Sequence, residues 1–329
     1  MTTRITGDAF GVGFDLASEC ADFARFVRHN YRVFQGPTPR HADLTVDFGP
    51  LAGATARARR EAMRHVGMGV WVDDQALYWE NEFGFALLLE PDARGFTIAA
   101  YHFDLDNPLE ADARDRNFQR SMRWAMHLPL FHLLAERDGL GLTHASAVAR
   151  EDGTILAFCG LNKVGKSTLG AYLAGHGYRF VTDNFLLLNG EAVFGFPEAL
   201  RLTPDSVEHL GLEPTWDDTV YGKHHVGLAE DRVCLSGAPK AFFFVTNGPE
   251  PAVEPLEGER AALLMAGLHQ YLGEFPEQSY LAALPLVTGR PLAGPRPADT
   301  LLRDRPWFQL TLPRDWALGE VQELIERCI

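Results

Sequence analysis

A mixed α+β fold is predicted for this chain, and three observations predict it. Several short segments of the first 112 residues alternate apolar and polar side chains at strand period. A glycine-bearing loop over 160–168 lies between an apolar strand and a helix. Beyond that helix, strand follows strand with no helix between them, which does not suit a doubly wound parallel sheet.

Taken in order, 42–48, 69–73, 76–79, 85–89 and 95–102 read as strands. The turn-rich segments 72–76 and 90–95 separate them, so an antiparallel meander is expected. From 118 to 134 the apolar residues Met122, Trp124, Ala125, Leu128, Phe131 and Leu134 recur at helical spacing. Pro129 is expected to kink this helix or divide it, and Gly139 and Gly141 to end it. Residues 142–149 then alternate as a strand, 150–153 turn, and 154–159 run into the loop as the second arm of an antiparallel hairpin. Further strands are read at 178–181, 185–188 and 192–194, the last two joined by a turn at Asn189-Gly190.

Residues 160–168 spell Gly-Leu-Asn-Lys-Val-Gly-Lys-Ser-Thr, the phosphate-loop (Walker A) pattern G-x-x-x-x-G-K-[ST]. Such a loop turns its N–H groups around a polyphosphate. Gly160, Asn162, Lys163, Val164, Gly165, Lys166, Ser167 and Thr168 are therefore the expected nucleotide-binding residues. Lys166 would reach the β- and γ-phosphates and Ser167 would ligate Mg²⁺. The helix that follows adds the partial positive charge of its N-terminus.

The whole composition sets limits. Of 329 residues, 46% are hydrophobic and 22% charged, the balance of a soluble globular protein. A net charge of −14 argues against nucleic-acid and membrane-surface partners, which need basic patches. Cys20, Cys159, Cys234 and Cys328 form no C-x-x-C pair, against structural zinc or a disulfide framework. With no apolar leader or span-length segment in view, a cytoplasmic location is expected.

The order of elements resembles the C-terminal catalytic domain of the HPr kinase/phosphorylase family. It comprises His144-Ala-Ser146, the hairpin, the phosphate loop, Gly175-His-Gly177, Asp183 about fifteen residues after the loop, and the segment 195–202. The resemblance is good over about residues 139–205 and looser beyond. It implies a phosphoenolpyruvate-carboxykinase-like P-loop kinase core at 139–329, using ATP and Mg²⁺. Residues 1–138 are then a β-rich region ending in a helix, a candidate acceptor-recognition domain. They look like the front half of HPr-kinase-like proteins that act on other substrates, including kinases of ribosomal peptides, and the downstream signature of HPr-specific enzymes is absent. A homo-oligomer is also implied.

In the family the first acid after the strand moves the proton and the second lies near the metal. Here the pair is Asp183-Asn184, so Asp183 is the expected base, and Asn184 offers the metal a neutral carbonyl oxygen. Asp183 read alone is equally a strand-end carboxylate capping a turn. His144 is either a phosphate-site residue or a hydrogen-bonded strand histidine, and Ser146 is read as structural. Arg201 suits charge on a transferring phosphoryl group, or is a solvated side chain. Lys223-His-His225 offers a phosphate or metal contact, but adjacent strand histidines face opposite ways, against a shared metal. Asp217-Asp218 and the pair Asp104 and Asp106 read as loop decoration. The leading expectation is a kinase acting on a hydroxyl of a peptide, protein or small molecule. The alternatives are a conventional P-loop small-molecule kinase or NTPase, and a non-catalytic nucleotide sensor.

Overall fold

In the computed structural model the alternating segments of the first unit build one mixed sheet. The structure describes residues 2–39, 41–103, 113–189, 191–196, 198–216, 222–264, 279–289, 305–313 and 318–329. Two units are distinguished, Met1–Arg137 with Phe275–Gly294, and Asp138–Glu274 with Pro295–Ile329. No helix among the described residues is long and apolar enough to cross a membrane.

The first unit begins with the hairpin β1 (Thr3–Ala9) and β2 (Val12–Ser18), then α1 (Ala21–Asn30), β3 (Leu44–Phe48) and α2 (Pro50–Arg60). Five strands follow, β4 (Arg64–Gly67), β5 (Val70–Val72), β6 (Leu77–Glu80), β7 (Phe85–Pro91) and β8 (Phe96–His102). Strands β5 to β8 fall on the expected segments 69–73, 76–79, 85–89 and 95–102 and pair antiparallel, with the unexpected β4 added beside β5. The sheet order is β1-β2-β3-β8-β7-β6-β5-β4, however, and β3 runs parallel to both β2 and β8. A meander alone is thus corrected to a mixed sheet. Parallel neighbours need long crossovers, and α1 and α2 supply them. Helix α2 buries only Gly53 and Ala56, so its small apolar face hides its helical period.

Pro129 does not divide the next helical stretch. Helix α3 (Ala113–Met122) passes through a π-helical turn at Arg123–His127 into α4 (Leu128–Asp138). In an α-helix the proline ring would clash with the carbonyl of Ala125. The wider π winding falls where that room is needed.

The second unit is organised by one long strand, β9 (Gly141–Ala149). It turns at Arg150–Thr154 into antiparallel β10 (Ile155–Cys159), so the hairpin is present. After the loop come α5 (Lys166–Gly175), β11 (Arg179–Thr182), β12 (Phe185–Leu188), β13 (Val193–Phe196), β14 (Leu200–Leu202), α6 (Pro204–His209) and β15 (His224–Val226). The remaining strands are β16 (Ser236–Gly237), β17 (Pro239–Asn247), β18 (Ala252–Pro255) and β19 (Trp307–Leu312), before the helix Leu318–Cys328. The order is β16-β13-β12-β9-β10-β17-β19-β18, with β11 also on β9, while β14 and β15 pair separately. Gly190, Pro197, Asp217, Asp218, Asp104 and Asp106 lie outside the described residues.

Side-chain alternation splits the sheet core in two. Ala145, Ala147, Ala157, Val181 and Phe242 pack on one face. Val148, Phe158 and Phe243 pack on the other, where Leu169 and Leu173 of α5 meet Val321 and Ile325 of the last helix. A third cluster, with Ala171, Ala174, Phe180, Leu200, Leu202 and Val226, ties α5 to the β14–β15 pair.

Gly195 of β13 lies so close to β11 that a Cβ would sit 2.2 Å from the carbonyl oxygen of Val181. That atom belongs to the backbone and has little freedom to move. Gly195→Ala is expected to cost about 1–3 kcal/mol, read as a lower urea midpoint with an unchanged m-value.

Candidate functional site

The site forms where β9 must share one edge between two strands. Residues 141–144 pair with β12, and residues 147–149 pair with β11 on the same edge. Strands β11 and β12 therefore lie end to end along β9, interrupted at Asp183-Asn184. The break is anchored locally. Ala145 N–H donates to the Asn184 carbonyl at 3.3 Å, and the Thr182 hydroxyl lies 2.9 Å from the carbonyls of both Phe185 and Phe196. Asp183 is thus taken out of regular pairing while remaining nearly buried, 8% exposed.

The phosphate-loop pattern takes the conformation its glycines permit. Gly165 is left-handed (φ 96°) and caps the start of α5, and Lys163 is also left-handed (φ 65°). Gly160 has φ 138°, and a Cβ there would approach the Val245 carbonyl oxygen to 2.6 Å. Among the described residues no backbone acceptor meets the N–H groups of Lys163, Val164 and Gly165. These donors, with the first turn of α5, form an anion-binding concavity. Lys166 is buried at 6% exposure, and its Nζ donates to the carbonyls of Gly160 (2.8 Å) and Leu161 (2.7 Å).

A cavity of about 540 Å³ brings together His144, Asn162, Lys163, Gly165, Lys166, Ser167, Thr168, Asp183, Asn184 and Arg201. Of the expected site residues, Gly160 and Val164 do not line it. Gly160 shapes the loop, and Val164 packs onto the core beneath. His144 reaches the cavity because it pairs opposite Phe185, directly after the Asp183-Asn184 break. Ser146 is buried instead beneath α5, where a Cβ on Gly170 would lie 2.2 Å from its hydroxyl.

Thr203 and Ser206 line the same cavity, although the sequence pattern placed neither among the site residues, and Lys223, read from the sequence as a phosphate or metal contact, lines it too. Thr203 caps α6, and Ser206 Oγ lies 2.9 Å from both Thr203 Oγ1 and Thr168 Oγ1, which links the loop helix to α6. Arg201 faces His225 across the β14–β15 pair, beside Lys223. Strands of three residues give no usable alternation, so this grouping had no sequence signal beyond Arg201 and Lys223 themselves. Glu198 was also missed. It is 4% exposed, accepts a hydrogen bond from Asn184 Nδ2 at 3.2 Å, and lies 3.9 Å from Arg201 Nη2.

Burial dominates the titration of the two central groups. It pushes the Asp183 carboxyl above its ordinary value, against the Ser167 hydrogen bond and the cations Arg201, Lys223 and Lys166. It pulls Lys166 down to about 8, although Asp183 acts the other way. Lys223 is lowered too, first by burial. Lys163, Lys166, Arg201 and Lys223 thus make a cationic cavity in a chain of net charge −14.

The oxygen donors suit a hard divalent cation shared with a polyphosphate. Asp183 Oδ1 is buried with no hydrogen-bond partner among the described residues, and the Ser167 hydroxyl and the Asn184 amide lie in the same cavity. Among the described residues no three His, Cys, Asp or Glu side chains could hold a metal by themselves. Mg²⁺ does not require such a set, since it is commonly bound through one or two carboxylates together with substrate phosphates.

Gly160→Ala combines an unfavourable φ with a backbone clash at the loop entrance. The strain of about 1–3 kcal/mol is expected to lower thermal stability, read as a lower midpoint in a thermal melt.

No family model matches the chain, and no curated protein matches it. Among solved structures it is similar to the HPr(Ser) kinase/phosphatase from Coxiella burnetii, at 10% identity and a TM-score of 0.29. The similarity covers 57% of this chain and 95% of that one. A likeness at that level decides neither fold nor chemistry, which rest on the geometry above.

Proposed function

We propose that the chain is an ATP- and Mg²⁺-dependent kinase that transfers the γ-phosphoryl group to a hydroxyl of a peptide, protein or small molecule. One observation carries this reading. A buried carboxylate, Asp183, shares a cationic cavity with a phosphate loop and its lysine. A carboxylate so placed repels bare phosphate, and its uses there are to accept a proton from an acceptor hydroxyl or to help bind a cation that a polyphosphate brings.

Phosphoryl transfer asks mainly for positioning and charge neutralisation. The loop N–H groups and Lys166 would hold the β- and γ-phosphates, with Lys163, Arg201 and Lys223 around the transferring group. The acceptor oxygen forms a bond to the γ-phosphorus as the bond to the β-phosphate oxygen breaks. ADP leaves with that electron pair, and the acceptor proton passes to Asp183. Mg²⁺, held by Ser167 and the side-chain Oδ1 of Asn184, would neutralise charge between the phosphates. His144, beside the break, is suited to orient the acceptor or the γ-phosphate.

A conventional P-loop enzyme places parallel neighbours beside the loop strand, whereas β10 has antiparallel β9 on one edge and parallel β17 on the other. The non-catalytic sensor is favoured by a single feature, the neutral Asn184 beside Asp183. Labelled ATP incubated with hydroxyl-bearing peptides, proteins and small molecules separates the two. Asp183→Asn is expected to lower transfer by about 10²–10⁴-fold while ATP still binds. Transfer left intact would remove Asp183 as the base. ATP binding without transfer to any acceptor would establish the sensor.

The pH dependence of kcat/KM reports the free enzyme. Asp183 must lose its proton, so activity is expected to rise through a value above the ordinary carboxylate range. Lys166 must keep its own, so activity is expected to fall as pH passes about 8. A profile that stays flat from neutral pH to about pH 9 would contradict the assignment of Lys166 as the charged clamp.

A further inference from the structure

The cavity shows only the near side of Asn184; the far side is occupied by a second acid. Asn184 Nδ2 is 3.2 Å from Glu198 Oε2, and Glu198 does not itself line the cavity. The amide nitrogen donates in this bond and the Glu198 oxygen accepts, so the nitrogen is the end of the amide turned to Glu198. Its Oδ1 is then the amide atom left for the cavity, and no hydrogen bond to it occurs among the described residues. Arg201, 3.9 Å from the same Glu198 oxygen, holds the carboxylate from another side. Sheet geometry keeps the three together. Asn184 sits at the β11–β12 break, and β13 pairs back along β12 so that Phe185 faces Phe196. The chain just after β13 is thereby returned beside Asn184.

We infer that Glu198 is a positioning residue that locks the Asn184 amide with its carbonyl oxygen toward the nucleotide-bound cation, so that Asn184 and Glu198 together replace a second acid at position 184. This rests on the kinase-donor reading of the cavity. The bond to Glu198 polarises the amide and makes Oδ1 a better oxygen donor, and the carboxylate lies one hydrogen bond behind it. An uncharged residue at 184 is then compatible with metal binding. Toward the cation Glu198 acts through Asn184, whereas Ser167 would touch the metal itself.

The test is calorimetric titration of the full chain with ATP, in EDTA and over a range of Mg²⁺ concentrations. The variants are Glu198→Gln, Asn184→Ala and the double variant. Glu198→Gln keeps the side-chain volume and an acceptor for Asn184 but removes the charge, and its thermal melt shows whether the fold is retained. This substitution is expected to leave ATP affinity in EDTA unchanged while raising the Mg²⁺ requirement about 10–100-fold, the usual effect of losing a partner of a metal ligand. Asn184→Ala is expected to do the same, and adding Glu198→Gln to it should change nothing further, because residues acting in series are not additive. An unchanged Mg²⁺ requirement in Glu198→Gln, or additive effects in the double variant, would overturn the inference while leaving the donor site standing. Absence of ATP binding by the wild type in either condition would overturn the donor-site reading and this inference with it.

Discussion

The pairing of β9 constrains everything around the cavity. Its latter half is hydrogen-bonded on both edges, to β10 on one side and β11 on the other, and its first half is joined to β12. A fully paired strand has no backbone group to spare for a ligand. A polar site beside it therefore requires the neighbouring strand to break, and the break between β11 and β12 is where Asp183 and Asn184 leave regular pairing. The same strand aligns β10, so the loop at its end opens beside that break. Loop and carboxylate come together because both are paired to one strand.

Electrostatics follow from that placement. A carboxylate and an ammonium enclosed in one cavity both lose hydration, which moves the Asp183 carboxyl upward and Lys166 down toward neutrality. Each partly offsets the other's burial. The added cations Lys163, Arg201 and Lys223 give the cavity the sign a polyphosphate needs, against the charge of the whole chain. Glu198 is buried beside Arg201 and Asn184 and does not line the cavity itself.

Much of the second unit was legible because its signals are local. The strands at 142–149, 154–159 and 185–188, the hairpin turn at 150–153 and the loop helix follow from alternation, glycine and the Walker A spacing. The first unit was legible only in part. Its meander has clear alternation, but α2 buries Gly53 and Ala56 and so shows no apolar stripe, and the parallel pairing of β3 depends on it. Pro129 misled for a local reason too, since proline forbids a regular α-helix and says nothing about a π turn that makes room for it.

The sequence by itself determined the conformation of the 160–168 loop, because it depends on glycines at fixed spacing within one short segment. It also singled out Asp183, Asn184, His144 and Arg201 as residues for that site. Tertiary structure alone decided what surrounds them. Lys223, Thr203, Ser206 and Glu198 lie far along the chain from the loop lysine, or on strands too short to show a period. Asn184 is bonded by a carboxylate further along the chain, brought back by the β12–β13 pairing. Short-range geometry is written in residue spacing, whereas burial, charge convergence and amide orientation depend on contacts that form only when the sheet closes.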